Sequence, residues 1–424
     1  ELKKVTRTIP EGEYRAGEDV WIHWGPSGFG HGITCVGYDD QVGFDVNGDG
    51  KVTNDTDING DGQMDVVAGP FWYAGPAFKT RHAFYEPVQQ ELEKTPTNSM
   101  FSFIADFNGD GRPDILVLGR VLHHQAFWYE NPGAAEATKP DARWKKHFVA
   151  NRVFGEAPLF RDITGDGKPE LISISGETAA DKVKQWGWYA PNWAEPTQPW
   201  KFVPVTAKAE FNHYYHGEGV GDINGDGRAD LVLNEGWWEQ PPKNSPPGTL
   251  WKKHAFTFSS DRGGAQILVT DVDGDGLADV LTSLDAHRFG LSWFQQKRTP
   301  EGITFVEHRI LDDKPENSAG GFALGQMHAL VLSRQIVAGQ PALVTGKRFW
   351  AHGPKGDVNP QATPLVLWLT WAKDAEGKVV FNPRVADAEA GIGTQFEVAD
   401  LDGDGRAEIV VANKKGLHVL SPAR

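Results

Sequence analysis

The sequence predicts an all-β chain: a seven-bladed β-propeller with four-stranded blades, a single domain over residues 1–424, closed by its N-terminal strand. Three observations carry this. A nine-residue acidic loop recurs along the chain, a short apolar strand and then an aromatic strand follow it, and the period of roughly 50 to 60 residues is that of propeller blades rather than of a solenoid.

The loops read DINGDGQMD at 57–65, DFNGDGRPD at 106–114, DITGDGKPE at 162–170, DINGDGRAD at 222–230, DVDGDGLAD at 271–279 and DLDGDGRAE at 400–408. The interval between 271 and 400 is double the usual one, so one repeat has lost its loop; Pro341-Ala342-Leu343-Val344 stands in the corresponding place. The aromatic strands are GPFWY, QAFWYENP, WGWYAP, GWWEQP, LSWFQQ and FWAHGP, followed in several units by a strand such as WKKHF at 144–148 or WKKHAF at 251–256. The last unit ends at Leu420 after three strands, and Leu2-Lys3-Lys4-Val5-Thr6 echoes WKKHF, so the N-terminus is expected to supply the missing outer strand and to remove the open edge.

Carboxylates at alternate positions repel one another unless a cation binds them, and glycine lets the backbone wrap tightly around that cation. Calcium is therefore expected in each loop. The side-chain ligands would be Asp57, Asn59, Asp61 and Asp65; Asp106, Asn108, Asp110 and Asp114; Asp162, Thr164, Asp166 and Glu170; Asp222, Asn224, Asp226 and Asp230; Asp271, Asp273, Asp275 and Asp279; and Asp400, Asp402, Asp404 and Glu408. The loop is similar to the first half of an EF-hand loop, with its last acid at position nine and β-prone residues after it. Just ahead of the first loop, Asp45, Asn47 and Asp49 form a further half-loop, similar to that of a dockerin, with Thr56 where an acid is expected. Loop 162–170, with Thr164 and Glu170 in place of Asn and Asp, is expected to be the weakest.

These Asp-x-Asn-Gly-Asp-Gly-x-x-Asp loops resemble the FG-GAP or VCBS repeats, whose best-known members include the propeller of integrin α-subunits. The stretches TGKRFWAHGPKGD and GTQFEVADLDGDGRAEIVVANKKG resemble a subgroup of bacterial secreted proteins associated with carbohydrate degradation. A fainter resemblance leads to the propeller domain of aldos-2-ulose dehydratase, although this chain has no room for the cupin domains of that enzyme. The resemblance implies a calcium-binding propeller that acts on, or binds, carbohydrate.

Composition agrees. The 16 Trp and 23 Phe suit packing between blades. A net charge of −15 argues against nucleic acid and anionic membrane surfaces; six calcium ions would bring it to about −3. The one Cys, Cys35, cannot form an internal disulfide, and there is no apolar run of transmembrane length. A chain beginning at Glu1 with calcium loops is expected to be secreted or periplasmic, its signal peptide removed, and monomeric.

In a strand–loop–strand unit, residues ahead of the loop and residues well past it share the end opposite the calcium. Ahead of the loops stand His31, His213, His216, Glu218, His328 and Gln395; past them stand Arg120, Asn234, Glu235, Asp285, Lys347, Arg348, Asn413 and Lys414, and then His123, His124, His287, Arg288 and His352. Two functions fit this mouth. In a sugar lyase or dehydratase, Arg120, Lys347 and Arg348 would neutralise a carboxylate or polarise a keto oxygen, and His124, His216 and His328 would take the neighbouring C–H proton. His31, Glu218, Glu235, Asp285, His287, Arg288, His352, Gln395 and Lys414 would bind substrate, and one further divalent metal could be held by His and Glu. The alternative is a non-catalytic glycan- or protein-binding module; a glycosidase pair formed by Glu218 and Glu235 also stays open. Lys347 and Arg348 are read as surface cations whose replacement moves the melting temperature by about a degree at most.

Overall fold

The computed structural model describes residues 56–87, 99–119, 125–176, 183–212, 214–260, 263–350 and 352–422, together with the backbone of Leu2–Thr6 and Asp19–His23. The strands form seven antiparallel sheets arranged as the blades of a propeller. A representative blade is Glu218–Gly221, Asp230–Leu233, Gly236–Glu239 and Lys252–Ala255, paired in chain order from the inside outward. The one α-helical turn is Ala134–Ala137 among the described residues, and no helix is long and apolar enough to cross a membrane.

The core consists of apolar clusters lying between successive blades, as expected for sheets that are apolar on both faces. Val344, Val366, Phe396 and Ile409 join the sixth blade to the last. Val66 and Tyr73 join the first to Val410 and Ala412 of the last, so apolar packing continues around the ring. Within blades, the tryptophan of the third strand lies directly opposite a histidine of the fourth: Trp72 and His82, Trp128 and His147, Trp237 and His254, and Trp293 and His308. The rings stack with centroids 3.9–4.4 Å apart. This cross-strand pair explains the recurrent Trp-Lys-Lys-His: lysines flank the imidazole that covers a buried indole.

The acidic loops share one hydrogen-bond pattern. Asp222 accepts the amides of Gly225, Asp226 and Gly227, and the two glycines hold φ near 80° where a side chain would be strained. The ninth residue turns inward. Its carboxylate accepts the amide of the second loop residue in all six loops: Ile58, Phe107, Ile163, Ile223, Val272 and Leu401, at 2.9–3.1 Å. The other oxygen of Asp114 takes the amide of Asn131, just past the third strand Ala126–Glu130, which staples loop to blade. Burial, against these backbone bonds, pushes Asp114 and Glu170 up to about 8 and Asp65 and Asp230 up to about 7. Asp45, Asn47 and Asp49 lie outside the described residues.

The N-terminal strands enter the last sheet in a different order from the sequence expectation. Its order is Leu2–Thr6, Asp19–His23, Gly416–Leu420, Glu408–Asn413, Phe396–Ala399. Asp19–His23 meets Gly416–Leu420 through Ile22 and His418, and Leu2–Thr6 pairs on its far side. Leu2–Thr6, with two lysines, has a composition suited to an outermost edge.

The inner strands line a central channel containing a cavity of about 150 Å³, bordered by Phe101, Phe160, Leu268, Leu330 and Phe396. The ionisable cluster described next does not border it.

Candidate functional site

Each inner strand runs toward its loop and the second strand returns, so the residues that precede the first and follow the second meet at the end away from the loops. His216 precedes Glu218–Gly221 and His328 precedes Leu330–Val337. His287 follows Asp279–Ser283, and Lys347 and Arg348 follow Gln340–Gly346. Glu156 opens Phe154–Arg161, where its amide donates to the carbonyl of Tyr215 at 2.8 Å. Backbone bonds from Lys347 to Leu365, from Arg348 to Gln326 and from Ile392 to Lys347 fix the two cations. Gly217, at φ 83°, lets the chain turn beside His216; a Cβ there would come within 2.1 Å of Asn234 Oδ1, whose amide nitrogen donates to the His216 carbonyl.

These side chains converge in the protein interior. Glu156 Oε2 lies 3.2 Å from both His216 Nε2 and His328 Nε2. His216 Nε2 lies 3.3 Å from His287 Nε2. On its other side, His287 Nδ1 is 3.0 Å from Asp357 Oδ1 and 3.1 Å from Arg348 Nη2. Asp357 also holds His352 Nδ1 at 2.9 Å, and the His352 ring stacks on His287 at 4.9 Å.

Burial would raise Glu156, but the charge and hydrogen bond of His216, with the hydrogen bond of His328, hold it well below the ordinary carboxylate range. Desolvation and then the Arg348 charge hold His328 well below the imidazole range. Desolvation also lowers His287, against its bond to Asp357. Burial, followed by the Arg348 charge, brings Lys347 down to about 8. Glu218 is pushed well above its usual range by burial, against the nearby Leu159 amide. Neither of its carboxyl oxygens has a partner in hydrogen-bond geometry among the described residues.

The donor set fits a divalent cation. One nitrogen each from His216, His287 and His328 lies within 4.8 Å of the others. Separations of 3.2–3.3 Å among Nε2 and Oε2 atoms match the edges of a coordination shell with ligands at about 2.0–2.1 Å. Asp357 accepts from His287 Nδ1 in the position of the outer carboxylate that fixes the tautomer of metal-bound histidines.

The other residues singled out in the sequence are placed as follows. Asp285 caps a turn, accepting the His287 amide at 2.9 Å. Arg288 is exposed. Tyr215 donates a short hydrogen bond to Glu235. Gln395 exchanges two hydrogen bonds with the backbone of Ser102, Asn413 donates to the Ala390 carbonyl and Lys414 to the Trp350 carbonyl, so these three are tied into the scaffold. His31, Arg120, His123, His124 and His213 lie outside the described residues. One reading needs correction: Lys347 and Arg348 are buried, because the backbone bonds above draw them inward.

Sequence reasoning missed Glu156 and Asp357. A signal for the first was present: Glu156 stands six residues ahead of Asp162, the same distance that separates His216 from Asp222.

The FG-GAP-like repeat family matches residues 57–117 and 106–173. FG-GAP-like repeats thus lie within the seven-bladed propeller, over its first blades. No curated protein sequence matches it. Among similar solved structures is that of an Agrocybe aegerita lectin, described as showing specific recognition of non-reducing terminal N-acetylglucosamine. It is 14% identical, the likeness covers 92% of this chain and 86% of that chain, and the TM-score is 0.33, too low to bear on the ligand of this chain.

Proposed function

We propose that this is a secreted or periplasmic, calcium-stabilised, monomeric propeller whose mouth binds a sugar bearing a carboxylate or keto group and acts on it as a lyase or dehydratase. The observation that carries this reading is the convergence of His216, His287, His328 and Glu156 beside a buried Arg348. The three histidines and Glu156 would hold a divalent cation, which supplies positive charge to polarise a substrate oxygen. Arg348 and Lys347 bind the carboxylate or carbonyl, so that the adjacent C–H becomes acidic. His216 and His328 face Glu156, which leaves His352, oriented by Asp357 and about half exposed at 49%, as the proton acceptor. The C–H electron pair becomes the new C=C bond, the β-oxygen leaves, and the imidazolium returns its proton to that oxygen.

A second reading, a non-catalytic glycan-binding module, is favoured by the stacked Phe349 and Trp350 rings at the same mouth, 4.7 Å apart and half-buried. The test is turnover. Metal-loaded protein is incubated with uronate oligosaccharides and keto sugars, and the near-ultraviolet absorbance of a conjugated C=C–C=O product is followed. His352→Ala is expected to lose roughly 10²-fold or more in rate with binding kept. Recovery of every bound sugar unchanged would decide for the binding module.

A further inference from the structure

Resting on that reading of the mouth, the surroundings of Arg348 distinguish between its two sugar classes. Arg348 is 2% exposed. Its Nη2 lies 3.8 Å from Asp357 Oδ2 and 3.1 Å from His287 Nδ1, whose own hydrogen goes to Asp357, and Nε and Nη1 have no hydrogen-bond partner among the described residues. A guanidinium cannot shed its charge as a lysine can, so buried N–H groups without acceptors persist until a ligand supplies them. Nε and Nη1 together carry three such N–H groups. A ketone offers one oxygen to them; a carboxylate offers two, with about four lone-pair sites and a full negative charge.

The charge balance points the same way. Arg348 and Lys347 oppose Glu156 and Asp357, which leaves the cluster near neutral; a divalent cation on the three histidines and Glu156 adds two positive charges that a neutral ketose would leave uncompensated. A third observation concerns Gln326, 1% exposed, whose backbone carbonyl accepts the Arg348 amide at 3.3 Å. Its side-chain nitrogen donates to the Val358 carbonyl, but its Oε1 has no partner among the described residues. It holds φ at 60°, a conformation uncommon outside glycine, so the backbone that pairs with Arg348 is held at a conformational cost. Donors without acceptors and an acceptor without a donor lie on adjoining residues. A ligand that answers both carries a carboxylate and a hydroxyl.

We infer that the mouth selects sugar acids over neutral and keto sugars, with Arg348 as the carboxylate-recognising residue and Gln326 as the acceptor for a ligand hydroxyl. The test is a matched comparison by calorimetry on protein loaded with zinc or manganese. Disaccharides of glucuronate and galacturonate are titrated beside the same disaccharides with their carboxylates reduced to primary alcohols, and beside a 2-keto hexose. The acids are expected to bind about tenfold or more tightly than either control, the scale of one charged hydrogen bond. Arg348→Lys is expected to erase that preference while keeping the metal content of the parent. Reduced or keto sugars binding as tightly as the acids would overturn the inference and leave the mouth as a sugar site. Binding of none of the sugars by metal-loaded protein would remove both readings. The comparison among sugars uses the unaltered chain, so it decides even if the Arg348 variant does not fold.

Discussion

Glu156 and His216 belong to successive blades, occupy the same position in their repeats, and meet at 3.2 Å between Oε2 and Nε2. Near-symmetry of a ring thus brings equivalent positions together, and substituting one of them for acid and the next for imidazole creates a pair that no single blade contains. Glu156→Gln keeps the shape and removes the charge. The variant is expected to lose at least half of its bound transition metal by elemental analysis, as carboxylate ligands contribute strongly to such sites, while its calcium content stays that of the parent. Full retention of the metal would place the ion elsewhere.

Chelation by EGTA is expected to lower the melting temperature by many degrees, because a ligand that binds only the native state stabilises it by mass action. Loop 162–170 should release its ion first. There the Thr164 hydroxyl lies 3.4 Å from Asp162 Oδ1 and 3.3 Å from Glu170 Oε1, occupying oxygens that a cation needs. A melting curve indifferent to exhaustive chelation would remove calcium from the loops.

Trp350 holds φ at 48°, a rare conformation for a bulky residue, with Lys414 anchoring its carbonyl at 2.7 Å. Trp350→Gly is expected to relieve strain on the order of 1 kcal/mol and to weaken oligosaccharide binding. Thermal melting and calorimetry on one preparation test the trade; unchanged affinity would take the ring out of the site.

His418 is buried in the last blade, and burial, with Lys415 adding to it against Asp387, lowers it to about 4 from an ordinary value of 6.5. The folded state therefore favours neutral imidazole. That contribution is complete above about pH 6.5 and is lost as the pH falls toward 4, by on the order of 2–3 kcal/mol. His418→Phe should melt with a shallower dependence on acid than the parent over this window, and parallel curves would show that His418 does not titrate there.

Deleting residues 1–10 removes only the outermost strand, whereas deleting residues 1–23 also removes the partner of Gly416–Leu420. We expect the shorter deletion to cost little and the longer one to cause aggregation through the exposed edge. Equal melting points and a monodisperse elution profile for both would show that the ring closes without these strands.

Blade architecture was legible because its signals are local: turn glycines, acidic loops and an aromatic strand after each. The N-terminal order was not. Leu2–Thr6 shares its lysine pair with Trp-Lys-Lys-His, whereas Asp19–His23, which pairs with Gly416–Leu420, carries no such likeness. At the mouth, His216, His287, His328, Arg348 and His352 could be found by repeat position. Asp357 could not, since it lies outside the repeat pattern, in an irregular turn segment where Trp350, Asp357 and Asn359 all adopt left-handed backbone conformations, a rare one for Trp. Burial of two adjacent cations was equally unreadable, because Lys and Arg side by side are usually solvated.

The pairing of Ile22 with His418 joins segments nearly four hundred residues apart in one sheet. During synthesis the earlier segment leaves the ribosome first and waits through six blades for its partner. Contacts of such long range are slow to form, so nascent chains should pass through a long-lived open form with blades built and the last sheet unfinished. Cells lacking holdase chaperones would show that interval as aggregation of the newly made protein.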